Sequence, residues 1–388
     1  MLKKSLARAQ TLLCAGLTIV LAAPAQTYSV LTDCDSANAS SSAPLTRGSD
    51  GNLYGTTTKG KTYGTVFRTT TSGALTTLHN FVNTDGSSPV GGVIFASDGN
   101  LYGATNQGGS SSRGTVFRVS PGGTFTSLYS FTGGTADGSS PVGKLVQASD
   151  GNLYGVTNTG GANGCGTIYQ ITTSGSYTSV HSFSCSGDGG SPRDGMIDAT
   201  DGNLYGTTSE GGPGGYGTAY RFSLDGTFTL VHAFGGADGH TPYAALIQAT
   251  DGMFYGTTEA GGSAGLGTVF RLTATGGLTI LYSFGGTDGK NPYGGLVQGA
   301  DGNFYGAASN GGGSHGDGSG TVFEITPAGA LTTLHVFDYS DGYIVAAGLV
   351  QGTDGNFYGT TFQGGAYGYG TVFRVGNVVV APCARCSP

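Results

Sequence analysis

Ten side chains with binding chemistry occupy positions where the periodic sequence of this chain varies. Aromatic rings can stack on the faces of sugars or peptides, and neighbouring charged or imidazole groups can orient such a ligand. We therefore predict a surface that binds an extracellular carbohydrate or a protein. Its candidate residues are Lys144, Arg193, Asp194, Tyr216, His240, Tyr243, Lys290, Tyr293, His315 and Tyr369.

Catalysis is the alternative function for the same surface. His240, His315, Glu210 and Glu259 carry groups that could act as acids or bases in a glycosidase or a polysaccharide lyase. Their spacing matches no catalytic motif, so a non-catalytic binding module is favoured over a secreted polysaccharide-active enzyme. A structural extracellular protein is the third hypothesis.

Two kinds of motif in this chain, acidic and cysteine-containing, partly match metal sites. An Asp-Gly pair precedes proline in five DGxxP copies, but this motif lacks the alternating acidic ligands of a calcium loop. The terminal Cys383-Ala-Arg-Cys386 segment lacks a second CxxC or a nearby His to complete a zinc set. We predict no metal site and no cofactor, and we assign the repeated Asp to turns.

A repeated hexapeptide of the DGNLYG type sets the architecture that must position the candidate residues. A period of about 50 residues that is filled with short β-type runs is typical of a radially repeated β-fold. The hexapeptide begins at Asp50, Asp98, Asp150, Asp201, Asp251, Asp301 and Asp354.

Each period divides into four strand-like segments, which the third copy shows. Residues 141–148 (PVGKLVQA) precede a DG turn, residues 152–158 (NLYGVTN) follow it, and a Gly-rich loop leads to residues 166–172 (GTIYQIT). A Ser-Gly turn then leads to residues 176–183 (SYTSVHSF). Three segments joined in this way predict an antiparallel meander, and the first segment adds a fourth strand. The first strand should be innermost, because its copies are rich in Gly and Ala.

The number of segments predicts how the ring closes. The GTVFR-type strand occurs seven times, but only six outer strands of the TSLYSF type follow it. We predict an all-β, seven-bladed propeller of four-stranded antiparallel blades, in which residues 27–31 (TYSVL) complete the last blade. Residues 376–380 (GNVVV) are the alternative closing strand. Either closure removes exposed sheet edges.

The connections between strands predict two unlike faces. The DG and SG turns are short and uniform, whereas the GG-rich and DGxxP loops vary and should share the opposite face. The candidate residues lie on or near these variable loops. Lys144, Arg193 and Asp194 replace small residues of the inner strand, so we expect them near a central channel.

Five cysteines follow the N-terminal segment and are expected to form disulfides in an exported protein. Cys165 precedes the third strand of its blade and Cys185 follows the fourth, so the two ends should be neighbours. We predict a Cys165–Cys185 bond. Cys34 could pair with Cys383 or Cys386 and join the two chain ends.

Residues 1–25 have the plan of a signal peptide: Lys3, Lys4 and Arg8, then an apolar stretch, then Ala23-Pro24-Ala25. Without this leader, 13 basic and 23 acidic residues remain, a net charge of −10. That sign disfavours nucleic acid as a partner, and no further stretch is long and apolar enough for membrane insertion. We expect a secreted monomer, with cell-surface association as an alternative, consisting of a propeller (26–375) and a CxxC tail (376–388).

The succession of DGNLYGTT, a GG-rich loop, GTVFR and a TxLYSF strand resembles the GloVer repeat of bacterial choice-of-anchor tandem repeat proteins. The resemblance extends from Thr27 to Val375 in seven copies. It implies an exported bacterial protein and supplies no catalytic residues. The terminal NVVVAPCARCSP lacks the hydrophobic tail and basic end of a sorting signal, which favours a released protein.

Overall fold

A computed structural model describes residues 26–36, 40–41, 43–59, 63–313, 315 and 318–377. These residues form 28 β-strands in seven four-stranded antiparallel sheets. The sheets are the blades of a ring, which confirms the predicted seven-bladed propeller. Within the described residues, no helix is long and apolar enough to cross a membrane. The predicted signal peptide lies outside them.

The strands follow one another from the inside to the outside of six blades, and the N-terminal strand is the outer strand of the seventh. The first three blades, with the N-terminal strand, contain β1 (Gln26–Asp33), β2 (Thr46–Arg47), β3 (Leu53–Thr57), β4 (Thr65–Thr69), β5 (Leu75–Asn80), β6 (Val93–Phe95), β7 (Leu101–Thr105), β8 (Thr115–Val119), β9 (Phe125–Ser130), β10 (Gly138–Gln147), β11 (Leu153–Gly160), β12 (Thr167–Ile171) and β13 (Tyr177–Ser182). The other four contain β14 (Ile197–Asp198), β15 (Asn203–Thr208), β16 (Thr218–Ser223), β17 (Phe228–Ala233), β18 (Ile247–Gln248), β19 (Phe254–Thr258), β20 (Thr268–Leu272), β21 (Leu278–Ser283), β22 (Val297–Gln298), β23 (Phe304–Ala308), β24 (Thr321–Ile325), β25 (Leu331–Val336), β26 (Val350–Gln351), β27 (Phe357–Thr360) and β28 (Thr371–Asn377).

The hexapeptide forms a tight turn that a tyrosine of the following strand holds in place. Asp50 Oδ1 accepts the Asn52 backbone N–H at 3.0 Å, and its Oδ2 accepts the Tyr54 hydroxyl at 2.8 Å. Gly51 supplies the positive φ of 79° that the turn requires. The Tyr–Asp bond recurs in all seven copies at 2.7–2.8 Å. The repeated residues therefore build the blades.

The hydrophobic core lies between neighbouring blades. One cluster joins Leu53 and Phe67 of the first blade to Tyr358 and Val372 of the last, so the ring is closed through packing. The second and third strands of the blades are almost wholly buried, for example β3 and β4. Burial on both faces explains why β-branched and aromatic residues fill these strands.

The N-terminal strand closes the ring, as predicted. β1 pairs antiparallel with β28, and the Tyr28 ring stacks on His335 with centroids 3.7 Å apart. Phe125 stacks on His79 at the same distance between the first two blades, so Tyr28 repeats an ordinary contact between blades. The alternative closure by GNVVV is wrong, because Gly376 belongs to β28 itself.

The inner strands approach one another closely at the axis. A Cβ atom on Gly91 would lie 1.9 Å from the Gly143 carbonyl oxygen, and one on Gly143 would lie 2.0 Å from the Gly195 nitrogen. No side chain fits at such distances. This crowding agrees with the small residues predicted for the innermost strand.

The disulfide predicted between Cys165 and Cys185 is present, with the two Cα atoms 5.5 Å apart. It joins a residue two positions before β12 to a residue three positions after β13. Cys34 is buried, and burial, followed by Asp35 and Asp33, raises the pKa of its thiol to about 12. The predicted pairing with Cys383 or Cys386 lies outside the described residues.

The Asp of the DGxxP loop anchors the end of the outer strand. Asp188 Oδ1 accepts the Ser184 backbone N–H at 2.6 Å, and its Oδ2 lies 3.0 Å from His181 Nε2. Burial lowers the pKa of His181, although the charge of Asp188 opposes that shift. The same His–Asp contact joins His79 to Asp85 and His232 to Asp238. These histidines and aspartates are structural partners.

The buried hydroxyl of Tyr220 leads to a prediction about stability. Tyr220 is fully buried, and its Oη has no hydrogen-bond partner among the described residues. Because an unpaired buried hydroxyl is unfavourable, Tyr220→Phe should raise the free energy of unfolding by about 1 kcal/mol. Phe270 and Phe323 already occupy this position in other blades.

Tyr205→Phe is the matched control in the same blade, and both variants should be measured by urea unfolding. The Tyr205 hydroxyl donates to Asp201 Oδ2 at 2.8 Å, so its removal should destabilise the protein by about 1 kcal/mol. A loss of stability in Tyr220→Phe would contradict the expectation.

Candidate ligand-binding site

The two variable connections of each blade meet on one face of the ring, here called the loop face. Isolated β-bridges join them, such as His240 to Ala260 and Lys290 to Asn310. The short DG and SG turns lie at the opposite ends of the strands. The structure thus has the two unlike faces that the loop lengths predict.

A cavity of about 430 Å³ occupies the ring centre at the loop face. All seven blades contribute to its wall, mostly through residues that precede the inner strands, with Val142 and Gly143 of β10 and two residues that follow second strands. The wall is apolar at Val90, Val142, Ile344 and Phe362. This volume is in the range of sites for small ligands.

Aromatic and charged side chains form the other side of the cavity. The rings of Tyr243 and Tyr293 lie 5.0 Å apart, and the Arg193 guanidinium is 5.4 Å from the Tyr243 ring centroid. Arg193 Nη2 is 3.7 Å from Glu210 Oε1, and the Tyr293 hydroxyl donates to Glu259 Oε1 at 3.0 Å. Burial, reinforced by Glu259, raises the pKa of Tyr293 to about 12. The phenol therefore remains a neutral hydrogen-bonding group at physiological pH.

Two opposite charges lie near the cavity. Asp194 lines it, and its carboxylate accepts the N–H groups of Gly195 at 2.7 Å and Ala245 at 3.1 Å. Lys144 Nζ donates to the Leu45 carbonyl at 3.0 Å, on the first blade. Burial raises the pKa of Asp194 and lowers that of Lys144 to about 8, although each charge opposes the shift of the other. Both groups therefore serve chiefly to join blades near the axis.

The remaining candidates lie away from the cavity wall. Tyr216 and His240 are neighbours, with ring centroids 5.6 Å apart, and His240 Nδ1 is 3.0 Å from Thr241 Oγ1. Lys290 lies on the bridged loop of another blade. His315 is exposed, and Tyr369 ends the GG-rich loop of the seventh blade. The structure thus places four of the ten candidates on the cavity wall, Arg193, Asp194, Tyr243 and Tyr293. Lys144 is partly buried near Asp194, and the other five are distributed around the loop face.

Sequence reasoning missed several residues of this face. Phe362 and Ile344 line the cavity, and Tyr339 and Tyr367 are among the most exposed large side chains. A signal for the tyrosines existed, because the two loops of the seventh blade together carry four of them. For Phe362 and Ile344, only the fold shows that they point to the axis.

The fold and the cavity define a seven-bladed β-propeller with a ligand-sized central cavity. The chain belongs to the Gloeobacter/Verrucomicrobia repeat family, whose profile matches residues 15–200 and 186–373. This confirms the resemblance to the GloVer repeat. Among curated proteins, none matches the chain in sequence.

Solved structures share the fold at low identity. The extracellular domain of a hybrid two-component system, BT4673 of B. thetaiotaomicron, is similar with a TM-score of 0.61 and 12% identity, over 89% of this chain. The match spans 39% of that longer chain. A protein described as a 6-phosphogluconolactonase, from Bacteroides uniformis ATCC 8492, has a TM-score of 0.52 and 13% identity, over 80% of this chain and 89% of its own. At these identities the likeness concerns the fold alone.

Proposed function

We propose that this protein is an exported, non-catalytic binding module that holds a neutral saccharide in the central cavity. The observation that carries the proposal is the pair of tyrosines, Tyr243 and Tyr293, beside Arg193. Tyrosine rings offer faces to the C–H surface of a sugar, and the flanking polar groups can bind its hydroxyls. The leader-like N-terminus and the disulfide support export.

Cavity size and charge favour a saccharide over a protein partner. A volume of about 430 Å³ admits one or a few sugar rings, whereas protein partners require much larger surfaces. Glu210 approaches Arg193, and Glu259 accepts the Tyr293 hydroxyl, so carboxylates flank the only guanidinium among the residues lining the described cavity. An anionic ligand would meet these carboxylates, which favours a neutral one.

Binding should be measured with the purified protein on an array of neutral and uronate-containing mono-, di- and trisaccharides, followed by calorimetry on any hit. We expect at least one neutral saccharide to bind. Tyr243→Ala and Tyr293→Ala should each weaken its affinity by about tenfold or more. Tyr293→Phe retains the ring and should lose less affinity.

Tyr63→Ala is the control, because Tyr63 is an exposed tyrosine of the first blade outside the cavity wall. Circular dichroism should verify that each variant is folded. The proposal fails if no saccharide on the array binds, or if the Tyr243 and Tyr293 variants bind as tightly as the Tyr63 variant does.

A further inference from the structure

Four tyrosines form a group on the loop face of the seventh blade, here called the tyrosine patch: Tyr339, Tyr343, Tyr367 and Tyr369. The exposed fractions of Tyr339, Tyr367 and Tyr369 are 56%, 67% and 42%. The Tyr339 and Tyr343 rings lie 5.9 Å apart. The Gly365 N–H donates to the Tyr339 carbonyl at 3.0 Å, so the two loops that carry the tyrosines are in contact. Exposed aromatic groups of this kind mark interaction sites.

A short backbone ladder connects the patch to the central cavity. The Phe362 N–H donates to the Ile344 carbonyl at 2.9 Å, and both residues line the cavity. One residue further out, Tyr343 and Gln363 exchange hydrogen bonds at 2.7 and 3.0 Å. Tyr343 of the patch therefore directly adjoins Ile344 of the cavity wall.

The charges around the patch select against an acidic ligand. Asp33 Oδ1 accepts the Ala366 N–H at 2.8 Å, and Asp338 Oδ1 accepts the Ser340 N–H at 2.7 Å. The carboxylates thus lie beside the two loops of the patch, whereas the tyrosines themselves are neutral. Lys59 is a cation on the cavity side of the patch, with its Nζ 5.8 Å from the Phe362 ring centroid. At the patch loops the carboxylates would repel an anionic polymer, and the tyrosine faces and hydroxyls suit uncharged sugars.

We propose that the tyrosine patch is a second binding site, which holds the sugars of a neutral polysaccharide chain outside the central cavity. The proposal rests on the proposed function only for the class of ligand. Rigid tyrosines lose little conformational entropy on binding. Two sites that bind the same polysaccharide molecule raise the effective affinity of the protein for it. The protein would then bind long chains more tightly than their short fragments.

Affinity electrophoresis in native gels tests this with xylan, mixed-linkage β-glucan and galactomannan as neutral probes and polygalacturonate as the acidic one. We expect at least one neutral polysaccharide to retard the protein and polygalacturonate to leave it unretarded. Tyr339→Ala/Tyr367→Ala should weaken the neutral interaction by about tenfold. Tyr339→Phe/Tyr367→Phe should retain most of it, and Tyr63→Ala should match the native protein.

The outcomes separate this proposal from that for the cavity. The patch proposal is supported if retardation persists in Tyr243→Ala/Tyr293→Ala and disappears in the Tyr339/Tyr367 double alanine variant. This holds even if no small saccharide binds the cavity. The patch proposal is overturned if none of the three neutral polysaccharides retards the protein. It is equally overturned if the double alanine variant is retarded as strongly as Tyr63→Ala.

Discussion

Gly143→Ala should destabilise this propeller more than any other single methyl addition in its blade. Gly143 has a positive φ of 68°, and a Cβ atom there would lie 2.0 Å from the Gly195 nitrogen and 2.4 Å from the Asp194 carbonyl carbon. These are backbone atoms of the next inner strand, so they cannot move aside as a flexible side chain would. The clash can be relieved only if two blades separate at the axis.

Gly151→Ala isolates this packing effect, because Gly151 also has a positive φ, 80°, but nothing lies within 4 Å of its hypothetical Cβ. The left-handed conformation alone should make Gly151→Ala less stable by about 1–2 kcal/mol. Gly143→Ala should lose several kcal/mol in all, as overpacking adds to that. Urea unfolding, with soluble yield as a second readout, would measure both. Equal losses for the two variants would refute the close approach of the inner strands.

Removal of the Cys165–Cys185 disulfide should have the second large effect on stability. The bond closes a loop with a sequence separation of 20 residues, for which the chain-entropy model gives about 3 kcal/mol. Cys165→Ser/Cys185→Ser should therefore lower the free energy of unfolding by about that amount. Reduction of the native protein should lower it at least as far.

The repeat supplies a matched control for this experiment. Cys185 has a φ of 71°, and the equivalent residue of the next blade is Gly236, with a φ of 85°. Cys165→Ser/Cys185→Gly also lacks the bond, but glycine adopts the left-handed conformation without strain. This variant should therefore be about 1 kcal/mol more stable than the double serine variant. If the double serine variant unfolds at the same urea concentration as the native protein, the bond makes no net contribution.

The candidate site was only partly accessible from sequence. Arg193 and Asp194 were expected near the axis because they replace small residues of the inner strand, whereas Tyr243 and Tyr293 were predicted only for the face of the variable loops. Tyr216 and His240 stood in equally variable positions but lie on the rim, since sequence variation marks a loop without giving its distance from the axis. The cavity wall also includes Phe362, which comes from a different connection of another blade.

The sequence alone determined the number of blades and the order of strands. Both depend on local spacing that recurs seven times, so that turns such as Asp50-Gly51 and strands such as β3 and β4 are specified by neighbouring residues. The sequence also predicted the Cys165–Cys185 bond from the strand order, but it left two candidates for the closing strand. Only the tertiary structure decided which loop residues converge. The cavity and the tyrosine patch join residues such as Arg193 and Phe362, or Tyr339 and Tyr367, whose distances depend on how the blades pack around the axis. No local pattern encodes that packing, because it arises from contacts between blades that are distant in sequence.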